Sequence, residues 1–177
     1  MKSLSLNNQT GAVLAVGLIM LLLMTVVGLA GTRVTGLEEK MASNSRDRNL
    51  SFQAAETALL AGEAAASNVS QTAACGTYPV GFYPLQDFDC NGTQDTSQIW
   101  ESVDWTSAVQ TVAYNGGALA SVNSLPRYIV EDMGVNACKV VETPCQTSNQ
   151  LHSYRITARA TGGTNNAVVM LQTIFQP

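Results

Sequence analysis

The sequence has little charge and distributes it unevenly. Only 12% of the residues are charged, and none of these lies between Gly11 and Arg33. Within that gap, the apolar stretch 12–30 approaches the roughly 20 residues that a helix needs to cross a hydrocarbon core of about 30 Å. We therefore expect a membrane-competent helix near the start of the chain.

Motifs for catalysis and for zinc binding are also missing. The chain has a single histidine, His152, and none of its cysteines forms a CxxC pair, so the usual zinc ligand sets are excluded. No serine lies in a nucleophile elbow, and no glycine-rich phosphate loop follows a strand pattern. We predict that the protein is not an enzyme and has no resident cofactor, apart from the calcium alternative described below.

From Arg33 onward the chain is acidic. This part holds all 13 acidic residues and eight of the nine basic ones, a net charge of −5, which argues against nucleic acid as a partner. The leader carries Lys2 and the amino terminus without an acid, and a short positive flank of this kind stays in the cytoplasm. These charges predict a single-pass protein with its N-terminus inside and its C-terminus outside.

The periodicity predicts one long helix after a polar leader at residues 1–11. The helix covers residues 12–67, and its first part, 12–32, would span the membrane. In the second part, apolar or small residues recur at three- and four-residue steps and predict a face packed on a sheet: Phe52, Ala55, Leu59, Gly62 and Ala66. The opposite, solvent-facing side would carry Arg46, Asp47, Glu56 and Glu63.

The remaining residues, 68–177, predict a globular head. A turn-rich segment, 68–125, contains a predicted helix at 100–113 and two tryptophans, of which one should anchor the core and the other be partly exposed. Strand patterns follow at 126–132, 153–160 and 167–175, the last two joined by a glycine- and asparagine-rich hairpin connection. Alternation along 154–161 predicts one buried face and one wet face. The fold class is therefore α+β, a long helix against an antiparallel sheet.

Cysteine usage agrees with an exported head. Disulfides persist outside the cytoplasm, and four cysteines allow three pairings. We favour the local set, because each bond would close a loop between stronger elements, and closing a loop of about 15 residues contributes roughly 3 kcal/mol. The predicted bonds are Cys75–Cys90 and Cys138–Cys145.

An acidic loop at 87–98 has two interpretations. Oxygen-bearing side chains lie at steps one, three, five and nine, with glycine at step six, which resembles the spacing of a calcium loop: Asp87, Asp89, Asn91 and Asp95. Gln98 stands at step twelve, where such loops carry a bidentate glutamate. Because that charge is missing, we favour the alternative, an Asx or Asn-Gly turn held by Cys90.

Three segments resemble PilX-type minor pilins of bacterial type IV pili. They are residues 35–56 (TGLEEKMASNSRDRNLSFQAAE), residues 126–132 (PRYIVED), and the end of the chain with 154–159 (YRITAR) and 166–172 (NAVVMLQ). The resemblance covers both ends of the chain and leaves about 68–125 unmatched. It implies a type IV pilin-like fold and a minor pilin that takes part in pilus assembly.

The resemblance also implies processing, location and partners. A prepilin peptidase would cut after Gly11, and Ala12 would then be N-methylated. The protein would lie in the inner membrane before it enters the extracellular pilus. Its partners would be other minor pilins and the major pilin, with a tip adhesin as a further candidate. Two features depart from the family pattern: the leader lacks basic residues before Gly11, and the first mature residue would be Ala12 rather than Phe or Met.

A further departure concerns the fifth mature position. Major pilins have a glutamate there, which can pair with the amino terminus of a neighbouring subunit, whereas this chain has Val16. Val16 is either one more apolar residue of a membrane helix or the sign of a subunit that initiates the filament or lies at its tip.

Two other classes stay open on the sequence alone. A type II secretion pseudopilin would share the helix and head architecture. A secreted protein without a pilus role would use 12–30 as a removable signal peptide, with a small-x-small site at Gly28-Leu29-Ala30.

Overall fold

The computed structural model describes residues 10–69, 78–84, 87, 91–93, 95–138 and 150–177, with only the backbone described at 10, 32–34, 135–138 and 150. In chain order the elements are α1 (Thr10–Ala66), β1 (Phe82–Pro84), α2 (Ile99–Ser102), β2 (Val112–Ala113), β3 (Arg127–Cys138), β4 (Gln150–Thr161) and β5 (Val168–Phe175). The chain divides into two compact units, Met1–Asn44 and Ser45–Pro177.

The first unit contains the N-terminal part of α1. This helix is long and apolar enough to cross a membrane, and its large apolar side chains between Val13 and Leu29 are exposed. In water such a surface would be unfavourable, since each buried methylene contributes about 0.8 kcal/mol. The exposed run is therefore suited to a lipid environment or to packing against other apolar helices.

The second unit is a helix packed on a sheet, which confirms the α+β pilin-like class. Its sheet has five strands, with the path β1-β3-β4-β5 and β2 paired to β3. The pairs β2–β3, β3–β4 and β4–β5 are antiparallel. The sheet is mixed rather than wholly antiparallel, because β1 lies parallel to β3, with Phe82 opposite Val130.

The helix packs on the sheet through small residues. Ala54, Ala55, Ala58 and Ala66 are at most 3% exposed. Ala58 and Ala66 belong to a buried cluster with Tyr128, Val130, Tyr154, Ile156 and Ala158, whereas Ala54 and Ala55 cluster with Ala160. A Cβ atom at Gly62 would lie 2.5 Å from Ile156 Cγ2, so this glycine permits the close approach of helix and sheet. The prediction that Phe52 packs on the sheet was wrong, because it is 44% exposed. The buried face of the helix is rotated by about one residue relative to the predicted face, and Leu59 lies at its partly buried edge.

The second face of the sheet is covered by the segment that precedes β3. Tyr83, Ile99, Val103 and Ile129 form a second buried cluster there, with both Trp100 and Trp105 partly buried against it. The prediction that this face is wet was therefore wrong: Thr157 and Thr161 are only 1% and 6% exposed. The alternation correctly identified Tyr154, Ile156, Ala158 and Ala160 as buried.

The predicted helix at 100–113 is shorter than expected. It is a single turn, α2, which ends at Ser102 with Val103 as its C-cap, and the chain then turns at Asp104. That carboxylate accepts hydrogen bonds from the backbone N–H of Thr106 at 2.9 Å and from its hydroxyl at 2.7 Å. Such an Asx turn competes with helix continuation, and the segment ends in β2 instead.

Candidate functional site

The predicted processing site lies at the start of α1. Gly11 and Ala12 are helical and exposed, and a Cβ atom at Gly11 would meet no atom within 4 Å. The preceding leader, residues 1–9, lies outside the described part of the chain. Val16, one turn further along, is 58% exposed. The exposed positions of Gly11, Ala12 and Val16 are compatible with processing and with contact to another helix.

Asp47 fastens the helix to the hairpin between β4 and β5. Its carboxylate accepts hydrogen bonds from the backbone N–H of Gly163, from the N–H of Thr164 at 3.2 Å and from the Thr164 hydroxyl. The pKa of Asp47 is lowered, chiefly by the Thr164 hydroxyl. The prediction that Asp47 lies on the helix face opposite the packed one was wrong, because Asp47 contacts the β4–β5 hairpin.

A buried ion pair joins β3 and β4 on the second face. Glu131 is fully buried and accepts two hydrogen bonds from Arg155, from Nε at 2.8 Å and from Nη2 at 2.7 Å. A fork of this kind is the strongest arrangement for a carboxylate and a guanidinium. This pair was not predicted from the sequence. The available signal was the acid Glu131 directly after the apolar run Tyr128–Val130, together with an arginine in the alternating run of β4.

A second polar cluster lies towards the far end of β3. Asp132 Oδ1 is 3.2 Å from His152 Nδ1 and accepts the backbone N–H of Gly134 at 2.8 Å. The Tyr78 hydroxyl donates to the other oxygen of Asp132 at 3.4 Å. Burial, followed by the charge of Asp132, raises the pKa of Tyr78. His152 is partly buried and stacks on Tyr154 of the same strand with a centroid distance of 6.4 Å, and its contact with Asp132 links β4 to β3.

The described part of the acidic loop forms a turn. The Asp87 carboxylate accepts the backbone N–H of Asn91 at 3.0 Å and of Gly92 at 2.9 Å, and Asn91 Oδ1 accepts the N–H of Thr93 at 2.8 Å. Gly92 has φ +81°, which favours glycine. Asp89 lies outside the described residues, so the calcium set of Asp87, Asp89, Asn91 and Asp95 stays a prediction. No cluster of three His, Cys, Asp or Glu suited to a metal occurs among the residues that the structure does describe.

The predicted disulfides lie in the parts of the chain that are left undescribed. Cys75, Cys90 and Cys145 fall outside the described ranges, and Cys138 is described only as the last backbone position of β3. The pairing therefore stays a prediction.

Two arginines on the second face of the sheet, the face that carries Glu131 and Arg155, border a cleft. The cleft has a volume of ≈ 340 Å³, and its walls include Trp105, Leu125, Arg127 and Arg159. Arg127 is held in place, since its guanidinium donates to the Ser107 carbonyl at 3.0 Å, to the Thr111 carbonyl at 2.8 Å and to the Thr111 hydroxyl.

Comparisons with known proteins match the chain at both ends. A family model described as Type IV pilus assembly protein PilX C-term matches residues 49–177, and a model described as PilX N-terminal matches residues 10–60. No curated protein and no solved structure gives a significant match. The two family matches together cover the helix and the head described above. The chain therefore belongs to the PilX family of type IV pilus assembly proteins.

Proposed function

We propose that this protein is a minor pilin that initiates the pilus filament and lies at or near its tip. The observation that carries this proposal is Val16, an apolar residue on the exposed surface of α1 at the fifth position after the expected cleavage glycine. The first acidic residue of the chain is Glu38, so the whole apolar segment lacks a carboxylate.

The importance of Val16 follows from the way in which a helix joins an apolar bundle. A carboxylate in such a bundle is costly unless it is paired, and the amino terminus of a subunit inserted earlier is a partner of opposite charge. A subunit with a glutamate at this position therefore gains from following another subunit, because attraction between charges is strong at low dielectric constant. A subunit with Val16 lacks this attraction but can still be followed, which suits the first position in a filament.

Processing would prepare the helix for this role. We propose cleavage by a prepilin peptidase after Gly11 and N-methylation of Ala12, in a protein anchored in the inner membrane with its N-terminus in the cytoplasm. Mass spectrometry of the mature amino terminus tests this step. A methylated Ala12 supports it, whereas an amino terminus at Gly31 indicates an ordinary secreted protein.

Deletion of the gene tests the initiating role. We expect fewer pili per cell, with the length of the surviving pili nearly unchanged, because initiation sets the number of filaments. Normal pilus number would contradict initiation. If pili are normal and protein secretion is lost instead, the pseudopilin alternative is supported.

A further inference from the structure

Two arginines face each other across strands β3 and β4. Arg127 is the register partner of Arg159. Four residues further along β3, on the same face of the sheet, Glu131 is the register partner of Arg155. The second of these pairs is a compensated ion pair. The first consists of two like charges, and like charges directly opposite each other destabilise a sheet.

Among the described residues of the head, no ion pair neutralises the charge of these two arginines. The acceptors around Arg127 are neutral carbonyl and hydroxyl groups. Arg159 is partly buried and makes no hydrogen bond or ion pair with any residue that the structure describes. The positive charge of Arg127 contributes to lowering the pKa of Asp104. The pKa of Asp104 is lowered mainly by its hydrogen bonds to Thr106, and Arg127 is the smallest of the causes.

Both arginines line the cleft of ≈ 340 Å³, which lies near the lower end of the size range of small-ligand sites. Trp105 forms one wall, and its indole N–H is already used by the Trp100 carbonyl at 3.1 Å, so the ring offers an apolar surface. Leu125 lines the cleft and is 49% exposed, and Met170, the register partner of Arg159 on β5, is 39% exposed. The Arg159 guanidinium, whose donors have no partner among the described residues, is thus placed beside apolar surface.

We propose that this cleft binds a carboxylate side chain, flanked by apolar residues, from a neighbouring pilus subunit. The guanidinium of Arg159 presents its donors in a planar fork that matches a carboxylate in two parallel hydrogen bonds. The added negative charge would relieve the repulsion between Arg127 and Arg159. Trp105, Leu125 and Met170 would contact the apolar residues on either side of the acid. That the acid comes from a pilus subunit rests on the proposed function, whereas binding itself does not.

Peptide binding to the full chain in detergent micelles tests the proposal. The probes are acetyl-Gly-Leu-Glu-Leu-Gly-amide, the same peptide with Gln in place of Glu, and inorganic phosphate, each followed by tryptophan fluorescence. We expect saturable binding of the Glu peptide, at least tenfold tighter than the binding of either other probe. Arg159→Gln should weaken it at least tenfold, and Arg159→Lys should weaken it less, because lysine keeps the charge but loses the fork.

Arg46→Gln is the matched control, because Arg46 is an exposed arginine on α1. It should leave binding unchanged. The melting temperature of Arg159→Gln without peptide should be equal to or above that of the unmodified chain, since a repulsion is removed, which separates lost binding from lost folding. Equal binding of the Glu and Gln peptides, or no effect of Arg159→Gln, overturns the proposal. Phosphate binding as tight as that of the Glu peptide overturns the assignment to a polypeptide carboxylate. Either failure leaves the pilus-number test of the proposed function intact.

Discussion

Asp47 on α1 accepts hydrogen bonds from the backbone and the hydroxyl of Thr164, 117 residues further along the chain in the β4–β5 turn. The contact closes the second unit, because it ties the helix to the last hairpin of the sheet. A Cβ atom at Gly162 would collide with the Asp47 carboxylate, so the glycine next to this contact is required for it. One acidic residue thus fixes the position of a turn distant in sequence.

We expect Asp47→Asn to lower the melting temperature and to remove a pH dependence. The folded pKa of Asp47 is lowered from its ordinary value of 3.8, so its contribution is complete above that value and is lost as the pH falls below it through the lowered pKa. Thermal melts between pH 2 and pH 6 measure this effect. Glu56→Gln, an exposed acid on the same helix, is the control, and an equal loss of pH dependence in that variant would contradict the assignment.

Breaking the buried ion pair should be strongly destabilising. Glu131→Gln leaves Arg155 without its counter-charge at a site where Glu131 is fully buried, and removing one partner of such a pair costs about 3–5 kcal/mol. Replacing both residues, Glu131→Leu with Arg155→Met, should restore most of the stability, since a well-packed apolar pair needs no desolvation of charge. Urea unfolding of the single and double variants checks this. A double variant as unstable as the single one would show that the charges themselves are needed.

The contact of helix and sheet at Gly62 should not tolerate a side chain. Gly62→Ala would place a methyl group 2.5 Å from Ile156 Cγ2 and 3.2 Å from the ring of Tyr128, and overpacking of this kind costs about 1–3 kcal/mol. Ala64→Val adds bulk on the exposed side of the same turn and should change the free energy of unfolding much less. If Gly62→Ala stabilises the protein, as helix propensity alone would favour, the close approach is not as described.

Calcium binding can be tested independently of the fold. If Asp87, Asp89, Asn91 and Asp95 bind calcium, a hundredfold excess of the ion over Kd should raise stability by about 2.7 kcal/mol. We expect no difference in melting temperature between millimolar calcium and a chelator. Both Asp87 oxygens already accept hydrogen bonds from the backbone N–H groups of Asn91 and Gly92. A clear rise would establish the calcium site.

The sequence predicted the periodic elements well and the contacts between distant segments poorly. The helix and the strands β3, β4 and β5 follow from local apolar patterns. The parallel strand β1 has only three residues and carries no periodic signal. The orientation of the helix was missed by about one residue. The three- and four-residue spacing included Phe52 in the packed face, whereas the close approach to Ile156 requires alanines and Gly62. Local patterns report which residues are apolar, but not how near two elements come.

The candidate site shows the same division. Gly11, Ala12 and Val16 could be proposed from linear sequence, because processing and membrane insertion act on a linear segment, and their roles stay predictions. Glu131–Arg155, Asp47–Thr164 and the facing pair Arg127–Arg159 could not be identified in this way. Each depends on strand register or on a hairpin that reaches the helix, and register is set by the whole sheet.

The initiating role can be tested by locating the protein in the filament. Gold-labelled antibody against the head should mark one end of isolated pili and leave the shafts unlabelled, and Val16→Glu should move some of the label onto the shafts. Val13→Glu, which places the same charge three residues earlier on an exposed position of α1, should not produce this shift, because its carboxylate is at the wrong position to pair with the neighbouring amino terminus. Label confined to one end is expected if the protein initiates the filament, whereas uniform labelling of the shafts by the unmodified protein would contradict the initiating role.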